Sequence, residues 1–251
     1  MPQSLGGLYL NIVKAGVIST SIVIILGFAM ITPFFINFTT KTPQVILLFF
    51  YVNDDSNVTA WCRDLSLLLD EKGFRASIFF SGKIADQYPE SIAIFGEGID
   101  IGSQTYSYTN LSSIDDYTRQ LEEIQKGKQF VEEAGNLSSR LFRVPIGYTD
   151  ENIYSLLSRS GIIADFSYKT HYNKYHEGQF LLFNISFVDG LKVSSRTLEN
   201  LENPSIVFFD NSTPLNIIRK ALSHLITSKT QVINASDLTS LKLTIKNGED
   251  P

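Results

Sequence analysis

The chain has 251 residues, 43% of them hydrophobic and 19% charged, which is sufficient for one globular domain with a substantial core. Its formal net charge at pH 7 is −5, and its lysines and arginines are scattered, so it lacks the basic stripe needed to neutralise nucleic-acid phosphates. Its single cysteine, Cys62, excludes an intrachain disulfide or a cysteine-based zinc knuckle.

The first long apolar segment follows a short N-terminal segment, residues 1–14. Residues 15–38 carry no charge, and at about 1.5 Å per residue they would span roughly 36 Å, enough to cross a membrane core of about 30 Å. A buried core helix would normally show a polar face. A cleaved signal peptide would end in a small-x-small site, which Asn37–Thr40 does not supply. We therefore predict an uncleaved transmembrane signal anchor, followed by a linker over residues 39–44.

Glycosylation sequons indicate on which side of the membrane the rest of the chain lies. Basic residues do not decide this, because Lys14 and Lys41 flank the apolar segment on both sides. Chance predicts about two or three Asn-x-Ser/Thr sequons, whereas seven occur, at Asn37, Asn57, Asn110, Asn136, Asn184, Asn211 and Asn234. Asn37 is expected to lie too close to the membrane for modification, and Pro214 is expected to weaken the Asn211 sequon. The excess predicts an extracytoplasmic domain glycosylated at Asn57, Asn110, Asn136, Asn184 and Asn234.

Apolar runs alternate with helix-like segments over residues 45–241, which we interpret as one domain that ends in a polar tail, residues 242–251. Strands are predicted at Val45–Phe50, Ala76–Phe80, Ile99–Gly102, Leu141–Arg143, Ile162–Phe166, Gln179–Phe187 and Ser205–Phe209. Helices are predicted at Ala60–Lys72, Ser113–Glu133, Thr149–Arg159 and Pro214–Thr227. Gly73 should end the first helix. Ser113 should be the N-cap of the second, with Asp116 as its partner in a capping box. The pattern is typical of an α/β fold, either a barrel or a doubly wound sheet.

Charged residues follow two of the predicted strands. Asp54 and Asp55 come directly after the first strand, and Arg143 ends another. The carboxyl ends of strands in α/β folds point into the functional crevice, so these residues could form a site. The alternative is a solvated turn in which Asp54, Asp55 and their neighbours bond only their own backbone.

Five pieces of the sequence, in order, resemble polysaccharide deacetylases, the NodB homology domains of carbohydrate esterase family 4. Ile101–Ser112 resembles the family motif I-G-x-H-T-x-x-H-x-x-L-S, and Asp54-Asp55 stands on the acidic pair of T-F-D-D-G. Arg143–Gly147 keeps R-x-P-x-G, Val207–Phe209 resembles L-x-H, and Val232–Leu238 resembles the last strand and turn. The fourth motif, an acidic residue with Trp, has only Asp165 and Tyr168 as candidates. The resemblance implies a distorted (β/α) barrel.

The resemblance also implies roles for single residues. Asp54 corresponds to the family's general base, Asp55 to a metal ligand, and Arg143 to the residue that orients the base. A backbone N–H just after Pro145 helps to form the family's oxyanion hole, with Ile146 at the position of the usual Tyr. Substrate contacts are expected from Tyr106, Pro145, Ile146 and Tyr148.

Three replacements stand at the positions that carry the family's chemistry. Gln104 and Tyr108 occupy the positions of the two metal-binding histidines, and Phe209 occupies that of the general-acid histidine. A neutral amide and a phenol with a pKa near 10 are poor ligands for zinc at neutral pH. General acid catalysis is typically worth about 10² to 10⁴ in rate. His171 and His176, in the polar loop over residues 169–178, are the only substitute ligands that the sequence offers nearby.

The leading hypothesis is a membrane-anchored, extracytoplasmic deacetylase-like protein that acts on or binds a cell-surface glycan, with metal-dependent deacetylation lost or reduced and no cofactor. One alternative is an active noncanonical carbohydrate deacetylase that keeps Asp54 and Arg143, with a zinc-like metal recruited differently or not used. The other is a glycan-binding or structural surface module. Its aromatic platforms would be Tyr106, Tyr108, Tyr148 and Phe209, unless these side chains merely fill the space left by metal and water.

Overall fold

The computed structural model describes residues 44–54, 56–145, 151–167, 181–182, 185–228 and 230–240. The predicted membrane anchor over residues 15–38, the segments on either side of it up to residue 43, and the tail over residues 242–251 lie outside the described residues. Within the described ranges, no helix is both long enough and apolar enough to cross a membrane.

Nine strands of the described chain form one sheet in which every pair is parallel. Their order is β6-β5-β4-β3-β2-β1-β8-β7, and β9 also pairs with β1. The strands are β1 (Gln44–Val52), β2 (Ala76–Phe80), β3 (Ile99–Ser103), β4 (Leu141–Phe142), β5 (Ala164–Asp165), β6 (Leu181–Leu182), β7 (Ser186–Asp189), β8 (Ser205–Asp210) and β9 (Thr230–Ile233).

The two outermost strands of the sheet are close in the chain. β6 pairs with β5 at one end of the sheet, and β7 pairs with β8 at the other, yet only residues 183–185 separate Leu182 from Ser186. Because an extended chain reaches at most about 3.6 Å per residue, these ends lie within about 14 Å of each other. The sheet is therefore curled, as in a (β/α) barrel. The single strand predicted over Gln179–Phe187 is wrong: this stretch holds two short strands that pair with opposite ends of the sheet.

The helices follow the strands on the outside of the curl. They are α1 (Val58–Lys72), α2 (Gly82–Gln87), α3 (Glu90–Ala93), α4 (Tyr117–Gly135), α5 (Glu151–Arg159), α6 (Ser195–Glu199) and α7 (Leu215–Thr227), with 3-10 turns at Leu111–Ser113 and Gly190–Lys192 and a helical segment over residues 235–240. Gly73 ends α1 in the left-handed conformation, with φ of 65°, which confirms the prediction.

The predicted start of the longest helix is wrong. Ser113 belongs to the 3-10 turn, which Asn110 caps by accepting a hydrogen bond from the Ser112 N–H. α4 begins at Tyr117, and the Asp116 carboxylate caps it by accepting from the N–H groups of Thr118 at 2.8 Å and of Arg119 at 3.4 Å. A carboxylate three residues along the chain is thus a better cap than the serine.

Two hydrophobic cores flank β1, and a third cluster contains Phe142 of β4 together with apolar residues of α4 and α5. The outer core lies between the sheet and its helices and contains Phe50 and Val52 of β1 together with apolar residues of α1 and α7. The inner core is built almost entirely from strand residues and includes Phe49 and Tyr51 of the same strand. Strand alternation therefore divides β1 between the two cores. Burial of each large apolar side chain contributes about 1.5–3 kcal/mol.

Candidate functional site at the mouth of the barrel

Polar side chains gather where the strands end. All strands are parallel, so their carboxyl ends meet at one end of the curl, which we call the mouth. An open cleft of about 430 Å³ lies there, and its lining includes Asn53, Asp54, Lys83, Ser107 and Tyr108. The mouth residues discussed below come from the ends of β1 (Tyr51, Asn53, Asp54), β3 (Ser103, Gln104, Tyr108), β4 (Arg143) and β8 (Asp210, Asn211).

Asn211 holds the loop that follows β1. Its side chain is only 5% exposed, and its Oδ1 accepts hydrogen bonds from the N–H groups of Asn53 and Asp54, each at 3.1 Å. Its Nδ2 donates to the Asp54 carbonyl at 2.6 Å. These three bonds fix the backbone that presents Asp54 to the cleft.

The Asp54 carboxylate accepts a hydrogen bond from the Ser56 N–H at 2.8 Å. The hydrogen bonds from the Ser56 backbone and side chain hold the pKa of Asp54 below its usual value, so this group is ionised at neutral pH. The sequence left two interpretations open for Asp54, a functional crevice or a turn that bonds its own backbone. The structure combines them, because the Asp54 carboxylate bonds its own turn and the residue also lines the cleft. Asp55 lies outside the described residues.

The loop after β3 presents Tyr108 in an unfavourable backbone conformation. Tyr108 has φ of 57°, in the left-handed region that residues with a side chain seldom adopt. Glu123 of α4 anchors the preceding residue, accepting from the Ser107 N–H and hydroxyl at 2.9 Å each. Thr105 closes the loop, because its Oγ1 accepts from the Thr109 N–H at 3.0 Å. Contacts outside Tyr108 thus hold its phenol at the mouth.

Gln104 is fully buried, and its amide nitrogen donates to the Phe79 carbonyl at 2.8 Å. Its Oε1 has no hydrogen-bond partner among the described residues. The amide is thus oriented by the backbone of the neighbouring strand. Its nitrogen is committed to that carbonyl.

Arg143 lies against Tyr51 in the floor of the mouth. Arg143 is 9% exposed, and its guanidinium carbon lies 3.6 Å from the centre of the Tyr51 ring. Burial raises the pKa of the Tyr51 phenol, and the positive charge of Arg143 opposes that rise only in part. The ion pairs found among the described residues do not include Arg143, so no ion pair joins it to Asp54.

Tyr108 connects Arg143 with the end of β8. Burial raises the pKa of the Tyr108 phenol most, and the negative charge of Asp210 adds to the rise. The positive charge of Arg143 and a hydrogen bond with the Asn53 side chain act in the opposite direction. Tyr108 therefore carries its proton at neutral pH, and it brings Asp210 and Arg143 into one electrostatic group.

Four buried side-chain atoms have no hydrogen-bond partner among the described residues, and all four lie near the mouth. They are the Tyr51 hydroxyl, Ser103 Oγ, Gln104 Oε1 and Arg143 Nε. Buried polar atoms in proteins are nearly always paired, with protein or with ordered water. These four atoms cluster at the ends of β1, β3 and β4.

The structure does not bring Phe209 or Tyr106 into the mouth. The Phe209 ring stacks on Phe50 at 5.5 Å in the outer core, whereas the Phe208 ring stacks on Tyr51 in the inner core. Tyr106 points towards α2 and α4, where its hydroxyl donates to the Asp86 carboxylate at 3.1 Å. Neither aromatic ring can therefore serve as a platform in the cleft.

Asp210 is the residue that sequence reasoning missed at the end of β8. Alternation along the strand puts it on the same side as Phe208, and its charge acts on Tyr108. Its carboxylate accepts from the Ser212 N–H at 3.0 Å and from the Thr213 hydroxyl at 3.3 Å. The signal available was its place as the first acidic residue after the apolar run of β8.

Asp165, a candidate for the fourth motif, supports the backbone beside Arg143. It is fully buried and accepts hydrogen bonds from the Ser167 N–H, at 3.0 Å, and from the Ser167 hydroxyl. The Ser167 oxygen in turn accepts from the Val144 N–H at 2.8 Å, next to the buried Pro145. The other residues predicted here, Ile146, Tyr148, Tyr168, His171 and His176, lie outside the described residues.

Two of the sequons fall on asparagines whose side chains hold the fold together. Asn234 is 2% exposed, and its Nδ2, to which a glycan would be attached, donates to the Gly98 carbonyl at 3.2 Å. The predicted glycosylation at Asn234 is therefore incompatible with this structure, and Asn211 is excluded by its bonds to the β1 loop. Of the other predicted sites, Asn57 and Asn136 are exposed, Asn110 is half-buried, and Asn184 lies outside the described residues.

Comparison with known proteins identifies the family. The family model for polysaccharide deacetylases matches residues 39–164. The chain belongs to the polysaccharide deacetylase family. No curated protein matches the chain.

Solved structures of polysaccharide deacetylases and their relatives share the fold. BA3943, a CE4 family pseudoenzyme from Bacillus anthracis, has 13% identity and a TM-score of 0.61, covering 79% of this chain and 66% of that one. A family 4 carbohydrate esterase from Streptomyces lividans, in complex with acetate, has 19% identity and a TM-score of 0.56, covering 76% and 91%. The peptidoglycan deacetylase PdaC from Bacillus subtilis has 16% identity and a TM-score of 0.57, covering 82% and 94%.

Gln104 and Tyr108, at the positions of the two family histidines, are poor ligands for a zinc-like ion. The Gln104 nitrogen is committed to a backbone carbonyl, so Gln104 offers only its neutral Oε1, and the raised pKa of Tyr108 keeps its phenol protonated. Such an ion needs anionic or imidazole ligands. Among the described residues, no three His, Cys, Asp or Glu side chains lie close enough together to hold a metal ion.

Proposed function

We propose that this polysaccharide deacetylase-like protein binds a cell-surface glycan at the mouth of its barrel and has lost most or all metal-dependent deacetylase activity. Gln104 carries the proposal. A histidine at its position would offer a ring nitrogen to a metal, whereas the buried Gln104 amide donates its N–H to the Phe79 carbonyl and leaves only a neutral oxygen, a weak ligand for zinc. The cleft and the unpartnered polar atoms beside it support ligand binding without that metal.

The proposal includes attachment to a membrane through residues 15–38, with residues 45–241 on the extracytoplasmic side. The apolar segment and the excess of sequons support it. Removal of N-glycans from the full chain should reduce its mass, and the changes Asn57→Gln and Asn136→Gln should each remove part of that difference. A full chain whose mass does not respond to glycan removal would contradict the glycosylated, external placement.

Metal titration and acetate release test the loss of activity. The full chain is titrated with zinc and cobalt and then incubated with acetylated chitooligosaccharides. We expect no tight metal binding and no acetate, and the same result for Gln104→Ala, because the wild-type amide offers little to a metal. Acetate release that depends on zinc would contradict the proposal.

A second candidate function is noncanonical deacetylation that keeps Asp54 as the base. The observation in its favour is that Asp54 is ionised, lines the cleft and has its backbone fixed by Asn211. This function predicts that Asp54→Asn abolishes acetate release while Gln104→Ala spares it. Equal insensitivity to both changes would count against it.

A further inference from the structure

Acidic and basic side chains at the mouth differ in how they are partnered. Asp54 and Asp210 both direct their carboxylates at their own turns, where backbone N–H and hydroxyl groups donate to them. Lys83 lines the cleft and Arg143 lies in the floor, and neither forms an ion pair with any described residue. Among the residues that the structure describes at the mouth, the negative charges are thus satisfied by their own turns, whereas the two positive charges have no ion-pair partner.

Of the two positive charges, that of Arg143 is the less favourable energetically, because it is buried. A buried charge is strongly unfavourable unless it is paired and hydrogen-bonded. The Tyr51 ring, 3.6 Å from the guanidinium carbon, offsets part of that cost through a cation–π contact. The Arg143 Nε–H still lacks a hydrogen-bond partner among the described residues, so an incoming anion would satisfy it.

We propose that the mouth binds an acidic sugar, whose carboxylate or phosphate group is received by Arg143 while its ring extends along the cleft towards Lys83. The planar guanidinium fork matches either oxyanion. A cleft of about 430 Å³ is within the usual range for small-ligand sites. This inference rests on the proposed glycan binding and adds the charge of the ligand.

Calorimetric titration of the full chain tests the inference. The probes are methyl glucuronide, glucose 6-phosphate and the neutral methyl glucoside. We expect one or both acidic sugars to bind at least about tenfold more tightly than the neutral one, with a preference that falls as salt rises. A preference for the glucuronide identifies a carboxylate ligand, and a preference for the phosphate identifies a phosphorylated one.

Single substitutions test which side chain causes the preference for acidic sugars. Arg143→Gln should abolish the preference, and Lys83→Gln should reduce it by about two- to fivefold, as expected of a more exposed charge. Lys220→Gln, on the exposed face of α7, makes the same change in net charge and should leave the preference intact. If Arg143→Gln does not fold, Arg143→Lys replaces it, and loss of the fork should weaken acidic binding about tenfold.

The outcomes separate the two proposals. Equal affinity for acidic and neutral sugars would overturn the inference about charge and leave glycan binding in place. Absence of binding by every sugar would overturn both. A preference that survives in Arg143→Gln, or that is as large in Arg143→Lys as in the wild type, would exclude Arg143 as the receptor.

Discussion

The two ends of the barrel treat buried polar groups in opposite ways. At the amino ends of the strands, the Asp100 carboxylate accepts from the Ser236 N–H at 2.7 Å, and the Ser77 hydroxyl accepts from the Ala235 N–H at 2.8 Å. Asn234 spans to the Gly98 carbonyl in the same region. The polar atoms at this end tie the last helical segment to the sheet.

The mouth has the reverse arrangement. The Tyr51 hydroxyl, Gln104 Oε1 and Arg143 Nε are buried there without partners among the described residues. Under the proposed glycan binding, stability and ligand contact would be assigned to opposite ends, as in other barrels whose carboxyl ends hold the site. Polar groups at the amino end are expected to support folding, and those at the mouth to cost stability until a ligand satisfies them.

The largest effect is expected from Phe209→Ala. This change tests whether the outer core contributes to stability without contributing to sugar binding at the mouth. The ring is 2% exposed and stacked on Phe50, so its removal should lower the free energy of unfolding by about 3–5 kcal/mol in urea titrations. Sugar affinity of the folded fraction should not change. The control is Leu191→Ala, whose side chain is 58% exposed and should change stability by less than about 0.5 kcal/mol. A stable variant with altered sugar binding would place Phe209 in the site instead.

An intermediate effect is expected from Asn234→Ala at the amino end. The change removes the bond to the Gly98 carbonyl and the acceptor for the Asp237 N–H, so the free energy of unfolding should fall by about 2–3 kcal/mol. Sugar affinity should stay the same. An unfolding free energy within about 0.5 kcal/mol of the wild type would refute the structural role of this end.

The smallest effect on stability is expected from Tyr51→Phe at the mouth. Because the hydroxyl is buried and unpartnered, its removal should leave the free energy of unfolding unchanged or raise it by up to about 1 kcal/mol at pH 7.5. The pKa of Tyr51 is raised by burial, so the folded protein holds this proton more tightly than the unfolded chain does. Wild-type stability should therefore fall as pH rises through about 10, and the variant should lose less.

Urea unfolding at pH 7.5 and pH 10.5 measures both parts of the Tyr51 prediction. Sugar affinity, followed in the same preparations, should weaken in Tyr51→Phe because a donor to the bound group is removed. A loss of more than about 1 kcal/mol at pH 7.5 would show that the hydroxyl already has a partner.

The general architecture could be predicted because it depends on local patterns. Apart from Gln179–Phe187, each apolar run predicted as a strand overlaps one, and Gly73 marks the end of α1. Asp54 after β1 and Arg143 after β4 are expected at the mouth because parallel strands end together. These inferences need only the neighbouring residues of the chain.

The remaining features depend on contacts between distant parts of the chain. The face of the sheet on which the Phe209 side chain lies could not be predicted from Val207–Phe209. A continuous apolar run shows no alternation between the two faces of a strand. Asn234 matched a surface sequon, and its burial follows from Gly98, which is far away in the sequence. Tyr51 lies just beyond the predicted strand Val45–Phe50, and the hydroxyl at the end of an apolar run was the available signal.

The position of β1 in the sheet has a consequence for biosynthesis. β1 is the earliest described strand, yet it pairs with β2, β8 and β9, and β9 is the last strand among the described residues. Such long-range pairing makes folding slow, and an apolar strand without its partners invites association with other chains. While the ribosome is still adding residues up to Ile233, β1 has one edge open, and we expect a chaperone to shield it until the last strand emerges.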